Sequence, residues 1–327
     1  MIYQNLWFVL WSLLWIIYFM LDGYDIGVGI VSVFVAKNDE ERQIVIRSIG
    51  PFWDGNEVWL VTAGGATFAA FPKAYAGLFS YLYTPFLLLL FILILRGVSI
   101  EFGYTEAGAG WRRLWHIIFF VSSLFLAILF GFFFGNLFKG LPIDQNGLQG
   151  GFFGLLTPAG VVGALVLVSG FALHGAQWVY LKTNSPVKDR TKRIINFILV
   201  SAFVFSVFFF LLLFLNPLFR RNFIDMPVLF VFPLCALALL VYIYVFYRKG
   251  KEVSFKASMF FIFFLFTTGF AGMYPALVPS SISEEFSFTI YNSSSGQYTL
   301  QIMTVVALLF VPVVIFYQIW IHKIFKK

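Results

Sequence analysis

The 327 residues are 61% hydrophobic and only 11% charged, with a mean hydropathy of +0.90. A soluble domain is about a quarter charged, so a water-soluble enzyme is excluded. Aromatic residues make up 21% of the chain, 45 of them Phe, which excludes a disordered or low-complexity polypeptide.

The apolar runs are long and unbroken. A β-barrel would instead alternate over segments of about ten residues. The chain is therefore expected to be an all-α polytopic membrane bundle in a single domain, residues 1–327. About 20 apolar residues cross the hydrocarbon layer. That ruler gives nine expected helices, near 6–36, 51–71, 74–97, 114–137, 156–181, 194–216, 227–247, 257–279 and 300–321. The first overshoots a bilayer core, so it is expected to tilt, to project, or to break near Gly23–Gly29. It has no basic segment before Leu6 and no small-residue cleavage site after it, so it does not read as a signal peptide. The start of the fifth follows a Gly-rich stretch and is the least defined.

The net charge of +7 raises the question of which loops carry it. Of the 22 Lys and Arg, all but Lys73, Lys139, Arg220 and Arg221 fall on one side of these spans. The positive-inside rule makes that side cytoplasmic, with the N-terminus outside and the C-terminus inside. No nucleic-acid partner is implied. The polar loops near 139–151 and 280–299 fall on the outer side. Cys235 is the single cysteine, so neither a disulfide framework nor a cysteine metal cluster can form.

Charged side chains at membrane depth cost about 2.5–3.5 kcal/mol each on insertion scales. Asp22 and Asp25 lie three residues apart in the first span, and Asp54 and Glu57 repeat that spacing in the second. Arg96 and Glu101 close the third. All six are expected in the cytoplasmic half or just beyond it. Carboxylates so spaced can pass protons between themselves and intervening waters, with Arg96 placed to hold one ionised. Structural readings stand beside this one. Asp54 also suits a helix start after Pro51, Arg96 and Glu101 also suit a water interface, and Asp22 and Asp25 also suit internal pairing.

Of three histidines, His322 is terminal, His116 opens the fourth span, and His174 alone lies within the membrane. One buried His is a possible haem ligand, but a hydrogen-bonded packing role is favoured. Gly131 and Gly135 form a GxxxG match, and Gly64-Gly65 would likewise allow close helix contact. The Phe-rich runs 206–214 and 260–265 are expected to face lipid or a partner. Trp111, Trp115 and Tyr247 fit an interfacial belt.

Several motifs, taken in order, carry a resemblance. They are Asp22-Gly23-Tyr24-Asp25-Ile26-Gly27-Val28-Gly29, then Trp53-Asp54-Gly55-Asn56-Glu57-Val58-Trp59-Leu60, then Thr62-Ala63-Gly64-Gly65-Ala66. Phe68-Ala69-Ala70-Phe71-Pro72, Arg96-Gly97-Val98, Phe134-Gly135-Asn136-Leu137 and Ser293-Ser294-Ser295 follow. Together they resemble subunit II of cytochrome bd-type quinol oxidases. The resemblance implies a heterodimer with a larger haem-bearing subunit I, and small single-span subunits in some complexes. It implies haems b and d, or b alone, in that partner, which oxidises quinol from the membrane pool and reduces dioxygen to water. Subunit II would then support assembly and haem retention, and in some members deliver protons or hold a structural quinone. It implies no haem and no metal ligands in this chain. Asp22, Asp25, Trp53, Asp54, Glu57, Arg96 and Glu101 occupy the family's polar positions, with Asn56 and Trp59 supporting. Some members carry Gln at position 57 and Asp at position 101. The competing reading is an ion-coupled secondary transporter using the same carboxylates, which should show symmetry-related halves; the sequence has none.

Overall fold

A computed structural model describes residues 1–103, 108–149, 151–247 and 251–325, without the side chains of Phe152, Lys251, Glu252 and His322. Arg248, Lys249, Lys326 and Lys327, counted above with the basic loops, lie outside the described residues.

The first segment is one unbroken helix, α1 (Ile2–Val35), of 34 residues. The expected break at Gly23–Gly29 does not occur. A Cβ on Gly27 would lie 1.8 Å from the Phe171 carbonyl oxygen, and one on Gly175 would lie 2.1 Å from the Gly27 backbone. The glycines there serve close approach between two helices rather than a bend.

A short amphipathic helix follows, α2 (Asp39–Arg47), capped by the Asn38 side chain accepting from Glu41 N–H. Next come α3 (Trp53–Ala70), α4 (Pro72–Tyr81) and α5 (Tyr83–Phe102). The third expected span is thus two helices broken at Leu82. Pro85 explains the break: its ring clashes with the carbonyl of the residue four before it, Tyr81.

The remaining helices are α6 (Ala109–Lys139), α7 (Pro158–Lys182), α8 (Val187–Phe214), α9 (Pro217–Asp225) and α10 (Val231–Phe246). They are followed by α11 (Lys251–Met273), the single turn α12 (Ile290–Ser293) and α13 (Gln297–Ile324). The expected eighth span stops at Met273 instead of 279, because Pro275 cannot continue a helix. Two small hairpins occupy the loops between helices. β1 (Ile143–Asp144) pairs with β2 (Gly147–Leu148), and β3 (Ala276–Val278) with β4 (Phe288–Thr289).

Among the described residues, eight helices are long and apolar enough to cross a membrane. The second expected span, α3, is not one of them; it is the short, polar-rich helix of the bundle. The chain is mostly helical, and α1 is its centre, packed against α3, α6, α7 and α11.

An aromatic core fills the space around α1. Phe19 stacks on Phe266 at 4.2 Å and meets Phe130 and Phe134 edge-on at 5.1 Å. The Phe-rich runs are therefore divided: Phe208 and Phe260 are exposed, but Phe209, Phe210 and Phe261 are buried in the core. Gly131 and Gly135 do set α6 against α7, over Ala164 and Ala159. Gly64 and Gly65 meet nothing within 4 Å, so they make no helix contact within this chain. Tyr247 is buried rather than part of an interfacial belt.

At the end of the bundle that carries α2, Glu41 ties three elements together. Its carboxylate takes Arg190 at 2.5 Å and the Lys37 backbone N–H at 2.6 Å, while Arg190 Nε donates to the Val35 carbonyl at 2.7 Å. The Arg190 hydrogen bond holds the Glu41 carboxyl below its ordinary range. A carboxyl lowered by folding contributes stability above its unfolded pKa of about 4.3, and that contribution is lost as the pH falls through the folded value. Thermal midpoints of the purified protein are expected to decline from about pH 5 downward. Glu41→Gln should flatten that decline, and an identical decline in the variant would exclude this ion pair as its source.

Candidate functional site

Halfway along α1 its face toward α3 and α5 carries charge. Asp22 and Arg96 form a bidentate pair, Nη2 to Oδ1 at 2.5 Å and Nη1 to Oδ2 at 3.0 Å, with both side chains fully buried. Such a fork fixes orientation as well as charge. Glu57, on α3, approaches the same guanidinium at 4.0 Å and is partly exposed. The sequence did not say which carboxylate Arg96 would take; the structure gives it Asp22.

Asp25, one turn further along α1, is equally buried but has a neutral partner. Asn56 Nδ2 donates to Asp25 Oδ2 at 2.8 Å and to Tyr24 Oη at 2.8 Å. Asp25 Oδ1 has no partner. The two acids are thus chemically distinct. Asp22 has its counter-charge built in, whereas the charge of Asp25 is not compensated by a fixed cation.

Asp54 and Glu101 do not join this group. Asp54 is exposed on the outer side of α3, and Glu101 is exposed at the end of α5. The expected convergence of six charges is corrected to four: Asp22, Asp25, Glu57 and Arg96. A three-residue spacing leaves about 60° between two side chains around a helix, so the rotation of α3 against α1 buries Asn56, brings Glu57 to the edge and leaves Asp54 outside. Trp53 lies against Gly97 of α5, 3.4 Å from where a Cβ would stand. Trp59 is buried with its Nε1 unpartnered.

Beside the cluster opens a cavity of about 870 Å³ between α3 on one side and α5 and α6 on the other. Its walls are apolar, including Trp11, Trp15, Leu93 and Phe134, with Glu57 as its acid.

His174 does not fit a haem. Nε2–H donates to the Met20 carbonyl at 3.1 Å, leaving Nδ1 to face the Ser258 hydroxyl at 2.8 Å. Phe255 stacks on the ring at 4.8 Å, and Tyr24 meets it edge-on at 5.7 Å. Both nitrogens are engaged and the ring is enclosed. Among the described residues no group of three or more His, Cys, Asp or Glu is placed to hold a metal ion.

Residues 3–325 match the family of cytochrome bd terminal oxidase subunit II. The chain belongs to that family. It is 32% identical over 333 residues to cytochrome bd ubiquinol oxidase subunit 2 of Bacillus subtilis, covering 99% of this chain and 96% of that one. It is also 32% identical over 359 residues to cytochrome bd-I ubiquinol oxidase subunit 2 of Escherichia coli K12, covering 98% and 94%. Its fold is similar to a chain of the bd oxidase from Geobacillus thermodenitrificans, with a TM-score of 0.82 over 99% of each chain at 17% identity.

This bd subunit II is therefore one part of a respiratory terminal oxidase, an oxidoreductase complex, and the transporter reading is not supported. Its long apolar helices and bacterial relatives make it a multi-pass protein of the bacterial inner membrane. Sequence reasoning missed Tyr18 and Trp15, which share the Asp22 face of α1. Tyr18 lies four residues and Trp15 seven residues before Asp22, a spacing that places all three on one side of the helix.

Proposed function

We propose that this chain is the haem-free subunit II of a quinol:oxygen oxidoreductase, and that its Asp25 carries protons toward the partner that reduces dioxygen. Subunit I holds the haems, b with d or b alone, and the quinol-oxidising site. This chain supports assembly and haem retention, and small single-span subunits and membrane lipid complete the complex. With α3 counted, the chain has nine spans. The excess of basic residues at the α2 end favours an external N-terminus and a cytoplasmic C-terminus, and so a cytoplasmic source for the protons.

The observation that carries the proton reading is the division of labour on α1. Asp22 is neutralised by Arg96, and buried Asp25 meets only the amide of Asn56. A group that gains and loses a proton in each turnover must not be neutralised by a permanent ion pair. The exposed acids Asp54 and Glu101 stand nearer the basic end and suit entry from water. The apolar cavity beside Glu57 suits an isoprenoid or acyl chain, either a structural quinone or a lipid, with the head toward the acid.

Asp25→Asn is the direct test. Turnover of the whole oxidase, followed by oxygen consumption at saturating quinol, is expected to fall by at least about tenfold. The haem absorption spectrum and subunit stoichiometry should stay as in the parent, because Asn keeps the size and the Asn56 contact. Unchanged turnover would assign Asp25 a structural role.

A further inference from the structure

Around the charged cluster, unpartnered polar atoms divide into two kinds. Donors without an acceptor are Trp15 Nε1–H, Trp59 Nε1–H and Arg96 Nε–H, and the Tyr18 hydroxyl lies beside the Asp22 carboxylate. Acceptors without a donor are Asp25 Oδ1 and Asn56 Oδ1. All five are buried. An unmet buried donor or acceptor is destabilising, so five of them gathered around one cluster call for partners. Water, with two donors and two acceptors, is the molecule that joins an excess of one to an excess of the other.

Four side chains follow a line. Trp15, Tyr18, Asp22 and Asp25 share one face of α1, spaced three, four and three residues apart. At 1.5 Å per residue that line runs about 15 Å along the helix. Asp25 stands at one end. At the other, Trp15 forms part of the cavity wall. Between them Tyr18 is fully buried, its hydroxyl in the electrostatic field of Asp22, Arg96 and Glu57. Its ring is fixed by Phe19 at 4.9 Å and Phe130 at 5.6 Å. Tyr Oη is the one group on this stretch that both donates and accepts without carrying charge.

We infer that a file of internal waters runs along α1 from Asp25 past the Asp22–Arg96 pair to the wall of the lateral cavity, ordered by the hydroxyl of Tyr18. The inference rests on the proton reading of Asp25 and extends it. The proton leaves the acidic cluster along α1, toward the far half of the bundle, and Tyr18 is the positioning residue on that route. It transfers no electron and forms no covalent bond. Each step breaks one O–H bond and makes another on the neighbouring oxygen.

Tyr18→Phe in the intact oxidase tests it, since the ring and its packing are kept and only the hydroxyl is lost. Oxygen consumption at saturating quinol is expected to fall about fivefold, the rate equivalent of one hydrogen bond. The ratio of rates in H2O and D2O should rise, and the haem spectrum should be unaltered. Tyr3→Phe, at the far end of α1, serves as the control and should leave both rate and isotope ratio unchanged. An unchanged rate and isotope ratio in Tyr18→Phe would overturn the inference, as would a loss of haem that accounts for the lost rate. Asp25→Asn measured alongside separates the two readings. If it slows turnover and Tyr18→Phe does not, the water file alone fails. If neither slows turnover, the proton reading fails with it.

Discussion

Arg96→Leu is expected to leave no haem-containing complex after detergent extraction. The reason is the carboxylate it abandons. Asp22 is fully buried and takes both of its charge-assisted hydrogen bonds from Arg96. Removing one partner of such a pair costs about 3–5 kcal/mol, because the remaining charge has neither water nor a counter-ion. That is a large share of a net stability of about 5–15 kcal/mol. The reciprocal change, Asp22→Leu, strands a guanidinium and should do the same. Combining the two should recover complex, since two apolar side chains of similar volume replace a buried pair at little cost. Size-exclusion chromatography with a haem absorbance trace reads all three. Equal recovery from Arg96→Leu and the parent would mean that the pair contributes nothing to assembly.

Gly27→Val is expected to be comparably severe by a different mechanism. The added Cβ would fall 1.8 Å from the Phe171 carbonyl oxygen and 2.7 Å from the Gly175 nitrogen. Both obstacles are backbone, so no rotamer change relieves them. Overpacking where side chains can yield costs about 1–3 kcal/mol; here α1 and α7 must separate, which unpacks the aromatic core around Phe19 and Phe171. Gly110→Ala, at a position where nothing stands within 4 Å, should leave assembly untouched. Membrane-fraction immunoblots and haem content compare the two. A Gly27→Val protein with normal haem content would mean that the two helices do not approach as closely as described.

Part of the site was legible before any coordinates. Asp22, Asp25, Glu57 and Arg96 stood out because charge at membrane depth is costly, and they do meet. Asp54 was grouped with Glu57 because a spacing of three suggests one face. That spacing tolerates a 60° offset, and the offset suffices to put one acid at a cavity wall and the other outside. Tyr18 and Trp15 went unread because an aromatic residue in an apolar helix gives no signal of where its polar atom lies. The break at Leu82 was carried by Pro85, and the end of α11 by Pro275, yet the hydropathy of both regions is continuous and hid them.

The amino-acid sequence by itself determined the membrane class, the helical content, the family and the presence of charges that demand a partner. These follow from local quantities: the cost of burying polar groups, and the length a helix needs to cross hydrocarbon. Only the tertiary structure decided which acid Arg96 neutralises, since Asp22 lies 74 residues away and four other carboxylates were available. It also decided that the glycines of α1 mark a crossing and not a hinge. Both depend on how one helix is rotated and seated against another. Packing at the Gly27–Gly175 contact sets that, and no single segment encodes it.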